Sequence, residues 1–428
     1  MAGNPQLLAE IKAKIDAYCD GAHDFAFDPA KPVVRLHEPT FSAPEINAAL
    51  DVMLSTFVTQ GAKVRAFEDQ FAEYMGARYG VMSNSGSSAN LLAVAAIANP
   101  DAPRALKRGD EVIVPALSWS TTVWPIIQMG LIPVIVDIDP VTLNIDPNAI
   151  EAAIGPRTRG LMPVHVYGNP CDMDALLDIC KRHDLVLVED CCEALGASYD
   201  GKAVGTIGDV GTYSFYFSHH ICTFEGGITV SNLSEMDDLM RILRAHGWVR
   251  EVREKDAYTS QYPEIDPRFL FVNLGYNLRA MEIQGAMGAV QLPKLREYVD
   301  VRRENAAYWQ EAFAPFDKLV AVQHETPKGH HSWFGFPMIL REQAPFEARE
   351  LRDHLEAANI ETRPIICGNI ARQPALKKYE HRVDGDLAHA SAVMDRGVAF
   401  GNHQAVNAEA RDYVRGKVVE FLERFGNW

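Results

Sequence analysis

The sequence predicts an α/β fold, with a mainly parallel sheet of seven strands between helices and a smaller α+β domain after it. Two observations carry this expectation. Short apolar runs alternate with helix-periodic stretches from about residue 80 to residue 231. Beyond residue 280 the pattern changes to two long helices that lead into a separate strand–helix–strand segment. Uniformly apolar strands alternating with helices belong to a parallel sheet covered on both faces.

In chain order, Leu8, Ile11, Ile15 and Tyr18 recur at helical spacing, so the first twenty or so residues read as an amphipathic helix. Polar, proline-containing Asp20 to Pro32 reads as a connector. Strands are expected at Tyr79 to Ser83, Glu111 to Pro115, Pro133 to Asp137, Gly160 to Val166, Leu185 to Glu189, Gly211 to Phe217 and Ile228 to Ser231. Helices are expected between them at Ser88 to Ala98, Thr121 to Met129 and Met173 to His183. Long helices follow at Met281 to Leu292 and Leu295 to Phe313. A strand at Trp333 to Leu340, a helix at Phe346 to Ala358 and a strand at Glu361 to Ile366 make the smaller domain. The expected division is an N-terminal helical extension (1–34), a large domain (35–295) and a small domain (296–428). No internal repeat or low-complexity tract interrupts it.

A net charge of -16 speaks against a nucleic-acid partner, which favours a basic footprint. It leaves a nucleotide ligand open, because a pocket can be basic within an acidic protein. The first residues carry Glu10, Lys12, Lys14 and Asp16 and lack the apolar core of a signal peptide. No stretch reaches the roughly 18 apolar residues of a membrane span, so the expected location is the cytoplasm. Seven cysteines, an odd number in a large chain, read as reduced thiols. Cys191-Cys192 either supply a metal ligand or are small buried residues behind a strand.

Several motifs fall where strands end, the place where doubly wound sheets hold ligands. Asn84-Ser-Gly-Ser-Ser-Ala-Asn90 follows a strand and opens a helix, so backbone donors at Gly86 and Ser87 could hold a phosphate. The same residues also suit an ordinary N-cap and turn. There is neither a Walker lysine motif nor G-x-G-x-x-G, which disfavours triphosphates and dinucleotides. Glu189-Asp190 ends another strand. An acid there either pairs with a protonated ring nitrogen or caps the next helix. Trp119, beyond a third strand, could stack on a flat ring or plug the core. Metal-ligand spacing around His219-His220 is poor, and no metal is expected. At strand spacing only one of that pair can face a pocket, and histidine suits proton transfer near neutral pH.

Together, and in this order, these motifs resemble the sugar-modifying branch of the fold-type I pyridoxal-phosphate enzymes, whose fold is aspartate aminotransferase-like. The likeness runs from about residue 35 to the end. It implies that Asp190 meets the pyridine nitrogen, Glu193 the ring hydroxyl, Gly86, Ser87 and Ser214 the phosphate, and Trp119 the ring face. Asn277, within Gly275-Tyr-Asn-Leu-Arg279, matches an asparagine given by a neighbouring subunit, which implies a homodimer with shared active sites. The chain departs from the branch in Ser214-Phe-Tyr-Phe-Ser-His219-His220-Ile-Cys-Thr-Phe-Glu225-Gly-Gly227, where His219 replaces the cofactor lysine. No lysine lies between Lys202 and Lys255, so covalent anchorage there is lost.

Histidine for lysine is the mark of a smaller group, the 3-dehydratases of nucleotide-linked 4-keto-6-deoxyhexoses. One type carries a [2Fe–2S] cluster and needs a reductase. Cys192 matches one of its ligands, but Leu233 to Asn277 contains no cysteine, so neither cluster nor reductase is expected. The cluster-free type acts on GDP-4-keto-6-deoxy-D-mannose in the colitose branch of O-antigen lipopolysaccharide synthesis. It resembles this chain at Ser118-Trp-Ser-Thr-Thr122, Ser218-His-His-Ile221, Leu243-Arg-Ala-His-Gly-Trp248, Ser332-Trp-Phe-Gly-Phe336 and Gly401-Asn-His-Gln404. The N-terminal extension looks more like the cluster type, so CDP- and dTDP-linked sugars stay open.

The resemblance implies a resting pyridoxamine phosphate, and His219 as base and then acid in the loss of the C3 hydroxyl. L-Glutamate would re-aminate the cofactor, and ammonia and a 4-keto-3,6-dideoxyhexose would be released. His246 and Arg250 are candidate contacts to glutamate carboxylate or sugar phosphate, or a solvated helix end. A conventional aminotransferase and a non-catalytic cofactor-binding homologue are the competing readings.

Overall fold

The structure is a computed structural model that describes residues 4–22, 25–39 and 41–426. Its central sheet has eight strands, one more than the sequence predicts. They run in the order Tyr79–Ser83, Gly227–Ser231, Val210–Ser214, Val186–Asp190, Thr158–Leu161, Glu111–Pro115, Ile132–Val136 and Arg382–Val383. Only Gly227–Ser231 pairs antiparallel, with a neighbour on each side. The other five pairings are parallel. The eighth strand comes from the C-terminal region, where two residues of extended chain pair with Val134 and Ile135. So short a strand leaves no apolar run to read, and it escaped prediction for that reason.

The strands are buried on both faces, as continuous Val/Ile runs require. Val112, Val114 and Ile135 point into one core and Ile113, Val134 and Val136 into the other. Each such side chain contributes about 1.5–3 kcal/mol by leaving water. The helices Gly86–Ile97, Ser120–Gln128 and Met173–His183 lie within two residues of their predicted ends. Strands expected to reach Val166 and Phe217 stop at Leu161 and Ser214. Beyond Leu161 and Ser214 the chain turns into cavity-lining loops, which apolar composition alone does not reveal.

A four-stranded antiparallel sheet, in the order Val320–Val322, Gly335–Leu340, Gly397–Gly401 and Thr362–Arg363, forms the small unit. Helix Leu295–Phe313 joins the two units. Leu295 and Val299 sit in the large-sheet core, whereas Ala306, Trp309 and Phe313 sit in the small core. Val34 also packs in the small core, and its backbone bonds Asn359 and Glu361 at 2.9 Å each. Chain from both ends therefore builds the small unit. The N-terminal helix spans Pro5–Ala22 and is tied to helix Ala43–Ser55 by Lys12–Asp51 and Asn47–Asp16 contacts. Within Asp20 to Pro32, residues 23 and 24 lie outside the described residues. Among those described, no helix is long and apolar enough to cross a membrane.

Candidate active site

A cavity of about 450 Å³ opens at the carboxyl ends of the parallel strands, walled on one side by the large sheet and on the other by the small unit. Gly86, Ser87, Trp119, Asp190, Glu193, Ser214 and His219 all line it. Asn277, His246 and Arg250 do not.

The floor is built from strand ends. Ser85 caps helix Gly86–Ile97, its hydroxyl accepting from Ser88 N at 3.1 Å and its carbonyl from Ala89 N. The N–H groups of Gly86 and Ser87 have no backbone partner among the described residues and face the cavity end of the helix dipole. Gly86 packs directly on Ser214, where any Cβ would overlap the serine side chain. Ser87 Oγ lies 3.2 Å from Thr121 Oγ1. Backbone N–H and hydroxyl groups at a helix start make a donor set that suits a phosphate.

Asp190 ends its strand 3% exposed. Its Oδ2 accepts from Asn90 Nδ2 at 2.9 Å and Thr122 Oγ1 at 2.8 Å, and its Oδ1 from Cys192 N at 3.1 Å. Asn90 is itself fixed by Thr212 Oγ1 at 2.6 Å. Neutral donors orient this carboxylate without neutralising it, which leaves it able to pair with a cationic ring N–H. Trp119, 57% exposed, caps helix Ser120–Gln128 at the cavity mouth. An aromatic cofactor with a phosphate and a protonated ring nitrogen fits this donor and acceptor set. No lysine is among the described residues that line the cavity.

The opposite wall comes from the small unit and the loops that meet it. Arg363, on strand Thr362–Arg363, lies over the rings of Phe334 and Tyr167 at 5.1 and 5.5 Å, with its Nε 3.3 Å from Tyr167 Oη. Tyr167 holds a left-handed backbone (φ 56°), and its N–H donates to Glu193 Oε2 at 3.0 Å. Burial pushes the Glu193 carboxyl up to about 7; Arg363 opposes this shift and Asp190 adds to it. Sequence reasoning missed Arg363, Tyr167 and Phe334. Phe334 lies inside the quoted Ser332–Phe336 motif, a signal that could have found it.

His219 follows strand Val210–Ser214 in a turn rather than on a strand, its N–H bonded to Tyr216 O. The ring rests 5.1 Å from that of Phe334, and Nδ1 lies 3.4 Å from Ser218 Oγ. Burial drives its pKa down to about 3, with Arg363, His37 and Arg302 adding to the shift. His220 is buried and bonds Ser332 O at 3.1 Å. One histidine of the pair thus faces the cavity, as the sequence predicts, but both stand in a turn and the strand alternation does not apply.

Asn277 is exposed and bonded to Arg279 Nε, and the neighbouring Leu274 is 90% exposed. His246 is exposed with φ 64°, and Arg250 covers the Trp248 ring at 5.0 Å. Cys192 borders the cavity, whereas Cys191 is buried beneath it. His165, Glu189 and Cys191 form one tight buried group, yet its donors are engaged. Glu189 accepts from the N–H groups of Gly205, Ile207 and Gly208 and meets His165 Nε2 at 3.2 Å, while His165 Nδ1 accepts from Cys171 N. This is a structural hydrogen-bond knot beneath the site.

The fold and cavity define a pyridoxal-phosphate-type transferase architecture with its lysine replaced. The chain belongs to the DegT/DnrJ/EryC1/StrS aminotransferase family, which matches residues 39–419. It is 42% identical over 373 residues to the GDP-4-keto-6-deoxy-D-mannose 3-dehydratase of Yersinia pseudotuberculosis, covering 86% of this chain and 94% of that protein. It is 36% identical to the lipopolysaccharide biosynthesis protein RfbH of Salmonella typhimurium, covering 89% of this chain and 90% of that one. The solved Escherichia coli GDP-4-keto-6-deoxy-D-mannose-3-dehydratase with bound hydrated PLP superposes with a TM-score of 0.85 at 39% identity, over 90% of this chain and 99% of the other.

Proposed function

We propose that this chain is a pyridoxal/pyridoxamine phosphate-dependent 3-dehydratase of a nucleotide-linked 4-keto-6-deoxyhexose. GDP-4-keto-6-deoxy-D-mannose is the first candidate substrate and L-glutamate the amino donor. One observation carries the reading: a cavity with phosphate cradle, ring-nitrogen acid and aromatic lid holds His219 where family enzymes hold lysine. Similarity to dehydratases of that substrate, across nearly their full length, supports the choice of sugar.

Bound there, the cofactor would supply an amine for the C4 ketone and an electron sink that lets the C3 hydroxyl depart. Gly86, Ser87 and Ser214 hold its phosphate, Asp190 its ring nitrogen, Glu193 its ring hydroxyl and Trp119 its face. Without a lysine, these contacts alone retain it. Burial and the nearby cations favour the neutral form of His219, the form that can accept a proton. Its Nδ1 is turned to Ser218 Oγ, which leaves Nε2 to take a proton and hand it to the departing hydroxyl. Arg363 is the cation among the described lining residues and fits a carboxylate of glutamate or a phosphate of the sugar nucleotide.

Asn277 lies outside its own cavity, in a stretch with exposed Phe269, Phe271, Leu274 and Met281. That apolar exposure supports a homodimer in which this loop serves the partner's site. No reductase is required in this reading, because Leu233 to Asn277 lacks the cysteines of a cluster. A cytoplasmic location fits the substrate class.

The deciding assay supplies pyridoxal phosphate, glutamate and GDP-4-keto-6-deoxymannose, and follows ammonia and 2-oxoglutarate. Both should accumulate without any reductase. Absence of both, with GDP-, CDP- and dTDP-linked sugars alike, would sink the assignment. An aminated sugar in place of ammonia would instead mark an aminotransferase.

A further inference from the structure

Arg302 sits on the helix that joins the two units and is 2% exposed. Its guanidinium has no carboxylate partner among the described residues. It donates instead to the carbonyls of Trp333 at 3.3 Å, Phe334 at 3.0 Å and Asn402, and to Gln404 Oε1 at 3.3 Å. Burying a cation without a counter-ion is unfavourable, so its location is informative.

The peptide it grips is strained. Trp333 holds φ 49°, a left-handed conformation that a bulky side chain adopts only when its surroundings force it. Trp333 N donates to His331 Nδ1 at 2.8 Å, and the two rings stack at 3.8 Å. The next residue is Phe334, whose ring touches both His219 and His220, at 5.1 and 5.9 Å. The residue before Trp333 is Ser332, whose carbonyl meets His220 Nε2 at 3.1 Å. A single guanidinium therefore fixes the short segment against which the His219 ring rests.

We infer that Arg302 is a positioning residue for His219, its clamp on the Trp333 and Phe334 carbonyls setting that ring's orientation. This inference rests on His219 being the proton carrier. The groups facing His219 are Arg363, His37, Arg302 and His220, with the carboxylates of Glu193, Asp190 and Glu225 lining the same cavity. Burial lowers Arg302 itself to about 9, so it stays charged at neutral pH.

The test reads the contact between the His219 and Phe334 rings by side-chain NMR without substrate at neutral pH, beside steady-state kinetics. In the intact protein the two rings should hold one mutual orientation, and a His219 ring that averages over several would overturn the inference. Arg302→Met should loosen that contact and cut kcat by about tenfold or more, with KM unchanged. Arg302→Lys keeps the charge but loses the fork, so it should restore kcat only in part. If Arg302→Met leaves both the ring contact and kcat unchanged, the role is refuted. Should that variant not fold, Phe334→Leu probes the same link with Arg302 intact. It should lower kcat about tenfold with cofactor affinity unchanged, and an unaltered kcat would be decisive against it. Because the NMR measurement needs no substrate, it stands apart from any failure of the dehydratase assay.

Discussion

The two walls of the cavity are made differently. The large-sheet wall consists of strand ends and helix starts, where Ser85 caps a helix and three neutral donors set Asp190. The opposite wall consists of Arg363, on a two-residue strand, and Phe334, on a loop, with Tyr167 packed against both. In the function proposed above, the first wall would hold the cofactor through strand ends and a helix start, and the second, with His219 between, would govern what happens to the molecule attached to it. Cofactor affinity and reaction choice are therefore separable by mutation.

The largest expected effect lies between the walls. His219→Asn should cut dehydration by about 10²–10⁴-fold, the usual worth of a general acid–base, with cofactor binding retained. Single-turnover measurement of ammonia release checks it, and retained rate would move the proton transfer to another group. His219→Lys should let borohydride fix the cofactor to the chain, visible by mass spectrometry, while dehydration is lost.

Next comes the cofactor wall. Asp190→Asn removes a charge-assisted bond worth about 1.5–3 kcal/mol, so pyridoxamine phosphate should bind about 10–100-fold more weakly. Calorimetric titration with the cofactor measures this. If affinity holds and only KM for the sugar rises, the walls are not separate.

On the other wall the reverse is expected. Arg363→Gln should raise KM for glutamate or the sugar nucleotide by about tenfold or more, with cofactor affinity unchanged. Steady-state kinetics with each substrate varied in turn would show which of the two it holds.

The smallest effect is on stability. His403 is lowered to about 3 and buried His220 is lowered further from its ordinary value, both through burial. Unfolded, each takes up a proton near pH 6.5, so their stabilisation is complete above that pH and declines as pH falls towards 3. The slope is at most about 1.4 kcal/mol per pH unit for each group. Glu193, raised to about 7, acts oppositely, favouring the fold below pH 4.5 and losing that contribution as pH rises through 7. Tm should therefore drop on acidification below about pH 6.5, and a flat profile from pH 7 to about pH 4 would contradict the buried neutral histidines.

The cofactor wall was legible in the sequence because its parts are local. Small residues at a helix start, acids at a strand end and a lysine-free segment each declare themselves within a few residues. Gly86, Ser87, Asp190, Glu193, Ser214, Trp119 and His219 all reached one cavity. The substrate wall was not legible, since the strand expected at Glu361 to Ile366 does not tell that Arg363 meets the cavity, which it reaches only through the small sheet. His246, from a quoted motif, and Arg250 lie outside the cavity of their own chain, and Asn277 faces outward from it. The eighth strand was missed for a related reason: its pairing partner is some 250 residues away.

That last strand bears on how the protein is made. Until Arg382–Val383 is synthesised, Ile132–Val136 presents an unpaired sheet edge, a template for other chains. Val34, made more than 300 residues earlier, likewise waits for Ile360. Neither unit can close while most of the chain is still on the ribosome, so a nascent or C-terminally truncated product would carry an open, apolar-flanked edge and need shielding from its neighbours.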